Sequence, residues 1–389
     1  MVTPVDTLPP NPWHFPRPEL AEGYLYMFGL GLVSARGLFA RRRMGKTQFL
    51  QRDLLPAAAA AGYLTAYANF WDDRETPQGS LVGALAKALA PKGLRSVLAR
   101  LSAPVKKVKA SAKIPGGFEG ALEAELASLE IDHVASMHEL LAQFDREKKS
   151  LLLVLDEAQV LARDEHSTFA HALRSALDIR KDKIKVIFAG SSETTLREMF
   201  ARESEPFYNW AALESFPLLG EDYVKFSVNL INKMARNRLT VAQGMQAFEE
   251  LHRTPEFFRR FLERYMLFQT LGAEDALTNT KASVFSDEQF LRKWDGLSQA
   301  DQSLLAMLAQ GERDLHSARG IEKLSSMLDK PATKNTVAQG LRRLQTQNIV
   351  ARLTVGEYRI EDEAFAEWLR KRNAKAAPSK SPARNNRGA

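Results

Sequence analysis

Cysteine is missing altogether from the 389 residues. No disulfide can staple the fold, and no thiolate can ligate a metal. Also missing is any apolar run near the roughly 18 residues that a membrane-spanning helix needs. The N-terminus, MVTPVDTLPPNPWHFPRPEL, has no basic segment followed by an apolar one, so no secretory signal is expected. These absences predict a cytoplasmic protein with no membrane partner. Acidic residues are absent from residues 371–389, which carry Lys371, Arg372, Lys375, Lys380, Arg384 and Arg387. Taking those six from the total of 54 Lys and Arg leaves 48 against 47 acids, so the formal charge of +7 belongs mainly to the C-terminal tail. Global charge is therefore a weak argument for nucleic-acid binding. The tail, rich in Ala, Pro, Ser and Asn, reads as disordered; it either adds non-specific phosphate affinity or only solubilises.

What is present is a chain with 45% hydrophobic residues, enough for two or three domains. Its organising stretch is RGLFARRRMGKTQFLQRDLL, residues 36–55. A short apolar run, Gly37–Ala40, enters a turn, and a helix-forming segment leaves it at Thr47, with Pro56 expected to stop it. Ala40, Arg41, Arg42, Arg43, Met44, Gly45, Lys46 and Thr47 fit GxxxxGK[ST] with Ala in place of the first Gly. Such a loop aims backbone N–H groups and the positive end of a helix at phosphate oxygens. Lys46 would reach the β/γ-phosphates, and the Thr47 hydroxyl would ligate Mg²⁺. With Gln48, these residues form the expected ATP-binding set. An incidental GKT in a surface turn is the alternative, and a second motif decides against it.

That motif is Leu151-Leu152-Leu153-Val154-Leu155-Asp156-Glu157-Ala158-Gln159. Five consecutive apolar residues ending in two carboxylates predict a strand buried on both faces of a parallel sheet, with the acids at its ligand-binding end. Asp156 would hold the Mg²⁺ shell, and Glu157 would orient or deprotonate the attacking water.

The pair ARRRMGKT and LLLVLDEAQ resembles the P-loop ATPases of the AAA+ and STAND groups, close to the archaeal-type ATPases with RRxGKT loops. The resemblance spans about residues 15–370. It implies an α/β P-loop NTPase core, a parallel sheet flanked by helices, with a helical lid and a C-terminal winged helix. It also implies a γ-phosphate-sensing residue after the strand Ile184–Ala189, either Ser191 or Ser192. Arg197 and Arg202 follow on the next helix, where the family often carries an arginine finger, and Arg202 is the candidate. Pro206-Phe207-Tyr208-Asn209-Trp210 resembles the family's PLYGR segment, but Asn209-Trp210 replaces Gly-Arg, which puts that arginine's role in doubt. Arg253-Thr254-Pro255 stands where the family has GxP, so Pro255 is the expected adenine contact, although Pro also simply begins helices.

The expected order is an extended N-terminal segment over 1–23 and an ATPase core over 24–220, followed by a helical lid over 221–280. A winged-helix domain over 281–371 and a basic disordered tail over 372–389 complete it. Within the core, residues 105–126 alternate with period two on both sides of Pro115-Gly116-Gly117 and read as an inserted hairpin, with a helix over 118–130 as the competing reading. In the winged helix, Val337, Leu341 and Leu344 face inward on the third helix, leaving Lys334, Asn335, Gln339, Arg342 and Arg343 outward. That outward set suits contact with DNA in a groove, or with a protein.

The expected function is an ATP-binding and hydrolysing, Mg²⁺-dependent molecular switch whose nucleotide state controls the winged helix. Its expected partners are ATP, DNA through the winged helix and tail, and a protein or a second copy through the core. The competing class is a non-hydrolysing nucleotide-binding scaffold or DNA-binding regulator, favoured by Ala40 and by the unsettled arginine finger. A helicase is suggested by Asp156-Glu157-Ala158-Gln159, but nothing downstream resembles a second motor domain.

Overall fold

The computed structural model describes residues 9–73, 75–89, 132–268, 270, 272–284, 287–328, 330–347, 349–354 and 357–376. The expected hairpin at 105–126 lies outside them. Contacts divide the chain into two units. The first is Met1–Ala40, Gly45–Ser191 and Thr195–Pro217; the second is Arg41–Met44, Ser192–Thr194 and Leu218–Ala389.

In the first unit, helix α1 (Pro18–Gly29) starts at a proline that costs no helical hydrogen bond, because the first N–H groups of a helix have no partner anyway. Strand β1 (Ala35–Phe39) leads through the Ala40–Gly45 loop into helix α2 (Lys46–Phe49). Contrary to expectation, Pro56 does not end this helix. A π-turn over Leu50–Leu54 carries it into helix α3 (Leu55–Ala60), with the proline in the first turn. Leu55 N–H reaches back to the Leu50 carbonyl, so the wider turn closes just before the residue that has no N–H to give.

Strand β2 (Leu64–Asn69), helix α4 (Pro77–Leu89), helix α5 (His133–Arg146) and strand β3 (Leu151–Asp156) follow. After helix α6 (Ser167–Asp178) come strand β4 (Ile184–Gly190), helix α7 (Glu193–Ala201) and strand β5 (Ala212–Ser215). Five strands pair in parallel in the order β2-β3-β4-β1-β5. The apolar run read from the sequence is the centre of this sheet: Leu151 to Leu155 are fully buried. Each such side chain stabilises the fold by roughly 1.5–3 kcal/mol over its exposed state. Strand β5 has no such signature. Its four residues, Ala-Leu-Glu-Ser, edge the sheet with half-exposed side chains and are held by pairing with β1.

The second unit begins with helices α8 (Glu221–Ile231), α9 (Val241–Glu250), α10 (Pro255–Leu267) and α11 (Gly272–Val284). Tyr223, Phe248 and Phe258 pack together between the first three, with ring centroids 5.4–5.8 Å apart and Phe258 meeting the other two edge to face. Thr240 and Gln243 form a reciprocal cap that starts α9. Helices α12 (Asp287–Asp295), α13 (Gln299–Ala309), α14 (Ala318–Leu328) and α15 (Lys334–Thr346) come next. They precede an antiparallel pair, β6 (Val350–Thr354) and β7 (Glu357–Ile360), and helix α16 (Glu363–Ala376).

Thr333 caps α15, and Val337, Leu341 and Leu344 are buried against Leu304, Leu324 and Phe365. Lys334, Asn335, Gln339 and Arg342 are exposed as the pattern requires. Arg343 is exposed as well, but its guanidinium donates to both oxygens of buried Asp301, at 3.0 and 2.7 Å, so it is committed within the fold. Helix α16 also runs past residue 371, into the expected tail. Arg372 lies over the rings of Trp294 and Trp368, and Asn373 donates to the Ala306 carbonyl, so packing holds this turn in the helix. No helix among the described residues is long and apolar enough to cross a membrane.

Candidate functional site

The register of the sheet places the motifs side by side. Phe39 of β1 pairs with Gly190 of β4, and Asp156 of β3 pairs with Ala189. The loop after β1, the acids after β3 and the serines after β4 therefore leave the same carboxyl edge, where parallel sheets present their ligand sites.

Within the loop, Arg43 (φ 70°) and Gly45 (φ 84°) are left-handed, the conformation that curls successive N–H groups toward one concavity. Gly45 is the residue before α2, and glycine alone takes this hand without cost. Ala40 has no positive φ and is buried, with its N–H on the Gly190 carbonyl at 3.2 Å. The position of the missing first glycine thus makes no demand that alanine fails.

Lys46 is 6% exposed and paired with Asp156 Oδ1, with Glu157 Oε1 at 4.0 Å. Thr47 Oγ1 donates to Asp156 Oδ2 at 2.8 Å, and Glu157 N–H donates to Asp156 Oδ1 at 3.0 Å. The P-loop lysine and threonine and the strand-end aspartate, over a hundred residues away in sequence, form one buried cluster. Glu157 is itself left-handed (φ 56°), a conformation that costs a non-glycine residue about 1–2 kcal/mol and recurs where a side chain must be aimed. Its Oε2 accepts from Ser191 Oγ at 2.9 Å and from Gln159 Nε2 at 2.5 Å. Of the two serines offered by the sequence, Ser191 is the one bonded to Glu157.

Other expected residues lie outside this network. Gln48 is exposed and accepts from Arg52 Nε at 2.8 Å. Arg202 is 57% exposed and pairs with Glu198 one turn back. Asn209 (φ 51°) keeps the left-handed backbone that glycine would supply, but Trp210 fills the place of the arginine. Its indole N–H donates to Asp178 at 3.0 Å, and its ring meets Phe188 edge on, so position 210 is a core residue. In the second unit, Arg253 (φ 50°) takes the hand of the absent glycine, and buried Pro255 starts α10, its carbonyl accepting from Tyr223 at 3.4 Å.

Two residues of the network were not expected. Tyr67 on β2 donates to Asp156 Oδ2 at 2.9 Å, and burial together with that carboxylate holds its phenol well above the ordinary range. Gln159, two residues past Glu157, is the other. A polar ring inside a strand and a glutamine directly after the paired acids were the available signals.

The groups here that could ligate a metal, the Asp156 carboxylate and the Thr47 hydroxyl, offer oxygen only, and the described residues hold no group of three or more His, Cys, Asp or Glu that could cage a metal. One carboxylate and one hydroxyl beside a phosphate-binding loop fit Mg²⁺, which is held by few protein ligands together with water and phosphate.

Among solved structures, the chain is similar to the Walker-type ATPase of Pyrococcus abyssi. The TM-score is 0.57 at 17% identity, over 91% of this chain and 95% of that one. It is also similar to the ORC2 protein of Aeropyrum pernix in its ADPNP–ADP complexes, with a TM-score of 0.52 at 14% identity over 92% and 93% of the two chains. No protein-family model matches the sequence, and no curated protein does. At these identities the likeness is one of fold: the chain has a P-loop NTPase core, a parallel five-stranded sheet flanked by helices, as expected from its two motifs.

Proposed function

We propose that this protein is an ATP-binding and ATP-hydrolysing molecular switch of the AAA+/STAND kind, whose nucleotide state governs a C-terminal winged-helix module that contacts DNA. The observation that carries this reading is the convergence of Lys46 and Thr47 on Asp156, with Glu157 beside them. The Aeropyrum pernix neighbour, solved with ADPNP and ADP, supports the same ligand class.

Lys46 is already desolvated and held in place by Asp156, so a phosphate oxygen gains a fixed cation without the cost of stripping its water. Thr47 and Asp156 would hold Mg²⁺, which, when bound, neutralises charge on the phosphate oxygens. Glu157 lies next to this cluster, and its carboxylate orients a water and takes its proton as the oxygen attacks the γ-phosphorus. The bond to the β–γ bridging oxygen breaks, and ADP leaves. Ser191, bonded to Glu157, ties the end of β4 to that carboxylate, which supports a role in sensing the γ-phosphate. Arg202 as an arginine finger would act on the nucleotide of a second copy of the chain; it is 57% exposed, and an exposed pair with Glu198 is all it would have to give up. Intact Glu157 in this network favours hydrolysis over the non-hydrolysing scaffold, and the undemanding backbone at Ala40 removes one of the two arguments for the latter, the other being the arginine finger.

The test is calorimetric titration with MgATP. Lys46→Ala is expected to lose measurable binding while still unfolding in one cooperative thermal transition, at a lower temperature because buried Asp156 loses its cation; unchanged affinity would exclude the loop as the phosphate site.

A further inference from the structure

We propose that Gln159 is a positioning residue for hydrolysis: a buried amide clamp that fixes the Glu157 carboxylate against Ser191. The inference rests on the reading of Glu157 as the group that activates water.

Gln159 is 7% exposed. Its Nε2 donates to Glu157 Oε2 at 2.5 Å and to Ser191 Oγ at 3.3 Å, while Ser191 Oγ donates to the same Oε2 at 2.9 Å. The three groups close a triangle in which Oε2 accepts twice. Oε1 of Glu157 takes no part in this triangle and lies 4.0 Å from Lys46 Nζ. The carboxylate is thus held by one oxygen with the other turned toward the phosphate-binding lysine, which is the division of labour a base needs.

Two further features belong to the glutamine. Its Oε1 is buried and makes no hydrogen bond to another described protein group, so both of the hydrogen bonds that the amide makes run from Nε2 to the Glu157–Ser191 pair. The amide orientation is set by the acid, since turning it over would point Oε1 at an ionised oxygen. Room for the amide comes from Gly190, where an added Cβ would collide with Gln159 Oε1. The end of β4 is therefore shaped around this side chain. Since Glu157 has a left-handed backbone and stands after the last residue of β3, it has no sheet neighbour to fix its rotamer, and the Gln159–Ser191 pair supplies that constraint.

The experiment compares Gln159→Leu, Gln159→Glu and Glu157→Gln in the full chain, measuring MgATP affinity and stoichiometry by titration, and phosphate release. Gln159→Leu keeps the bulk and loses the donor. It is expected to bind MgATP within about twofold of the parent and to lose kcat by about ten- to a hundredfold, as a displaced base does. Gln159→Glu keeps the length of the side chain but replaces the donor with a carboxylate that repels Glu157, so its kcat is expected to fall at least as far as that of Gln159→Leu while MgATP affinity is kept. A residue that only supported the fold would lower turnover only in step with the fraction of chains that bind nucleotide, read as the stoichiometry of the titration. Parent-like kcat per bound nucleotide for either Gln159 variant, alongside an inactive Glu157→Gln, would overturn the clamp and leave the ATPase reading intact. Parent-like turnover by Glu157→Gln would remove both.

Discussion

Asp156 accepts from Lys46, Thr47, Tyr67 and the Glu157 N–H, so the geometry of one carboxylate decides where the P-loop cation stands. Tyr67→Phe keeps the ring and removes one of those donors. It is expected to cost about 1 kcal/mol of stability and to weaken MgATP binding less than Lys46→Ala does; denaturant unfolding and titration of the same variant check both. Asp301 and Arg343 make an asymmetric pair, because the acid is buried and the base is half-exposed. Arg343→Met leaves a buried carboxylate without its partner and should destabilise by about 2–3 kcal/mol. Asp301→Asn should cost less, because its guanidinium partner still faces water. Equal losses in the two variants would contradict that account. At this scale the sequence was partly legible. Lys46, Thr47, Asp156 and Glu157, which the structure brings together, were picked out by residue type and spacing, since the phosphate and metal chemistry proposed for them restricts both. Tyr67 and Gln159 were not, because their roles depend on which side chains the sheet register brings within hydrogen-bonding reach, and no linear spacing encodes that.

Among the elements, strand β3 was plain in the sequence because burial on both faces forces an unbroken apolar run, and β4 nearly so, with Lys185 interrupting it. Strand β5 was not, since an edge strand held by pairing alone can be Ala-Leu-Glu-Ser. The π-turn before Pro56 was likewise invisible: the proline's missing N–H predicts a stop, and only the wider turn lets the helix pass it. The missing glycines at 209 and 253 cast doubt on two segments, yet both backbones keep the left-handed turn. That conformation costs Arg253 about 1–2 kcal/mol, and glycine would give back part of the relief as unfolded-state entropy. Arg253→Gly is therefore expected to stabilise the second unit by about 0.5–1 kcal/mol, read as a higher melting temperature; a lower one would mean that the pairing of Arg253 with exposed Glu249 outweighs backbone strain. The turn into α16 carries a pH signature. Burial pushes the Glu361 carboxyl up to about 7, and its Oε1 has no hydrogen-bond partner. An acid whose folded pKa lies above its unfolded value favours the protonated form in the fold. Stability should then fall as pH rises from about 4.5 to 7, and Glu361→Gln should flatten that slope in thermal melts.

For the whole molecule, the fold class followed from two motifs, whereas the partner did not, because exposed basic residues serve DNA and protein contacts alike. Lys334 and Arg342 are both exposed on α15, eight residues apart, and at 100° per residue they lie about 80° from each other around the axis. With Arg343 committed to Asp301, these two are the expected phosphate-binding cations of the module. Reversing both charges should weaken DNA binding and lower its salt dependence by about one unit for each phosphate that is no longer neutralised. Deleting residues 377–389 spares α16 and should remove only a sequence-independent part of the affinity. DNA affinity that disappears with the tail alone would reassign the module to protein binding.

The central claim is that the cluster around Asp156 hydrolyses ATP with Glu157 as the group that activates water. Phosphate release at saturating MgATP, measured side by side for the parent protein and Glu157→Gln, tests it most directly. The account predicts steady turnover by the parent. It predicts nucleotide affinity retained in the variant, with turnover reduced at least about a hundredfold. A Glu157→Gln protein that releases phosphate at the parent rate, or a parent that binds MgATP and never turns it over, would contradict it.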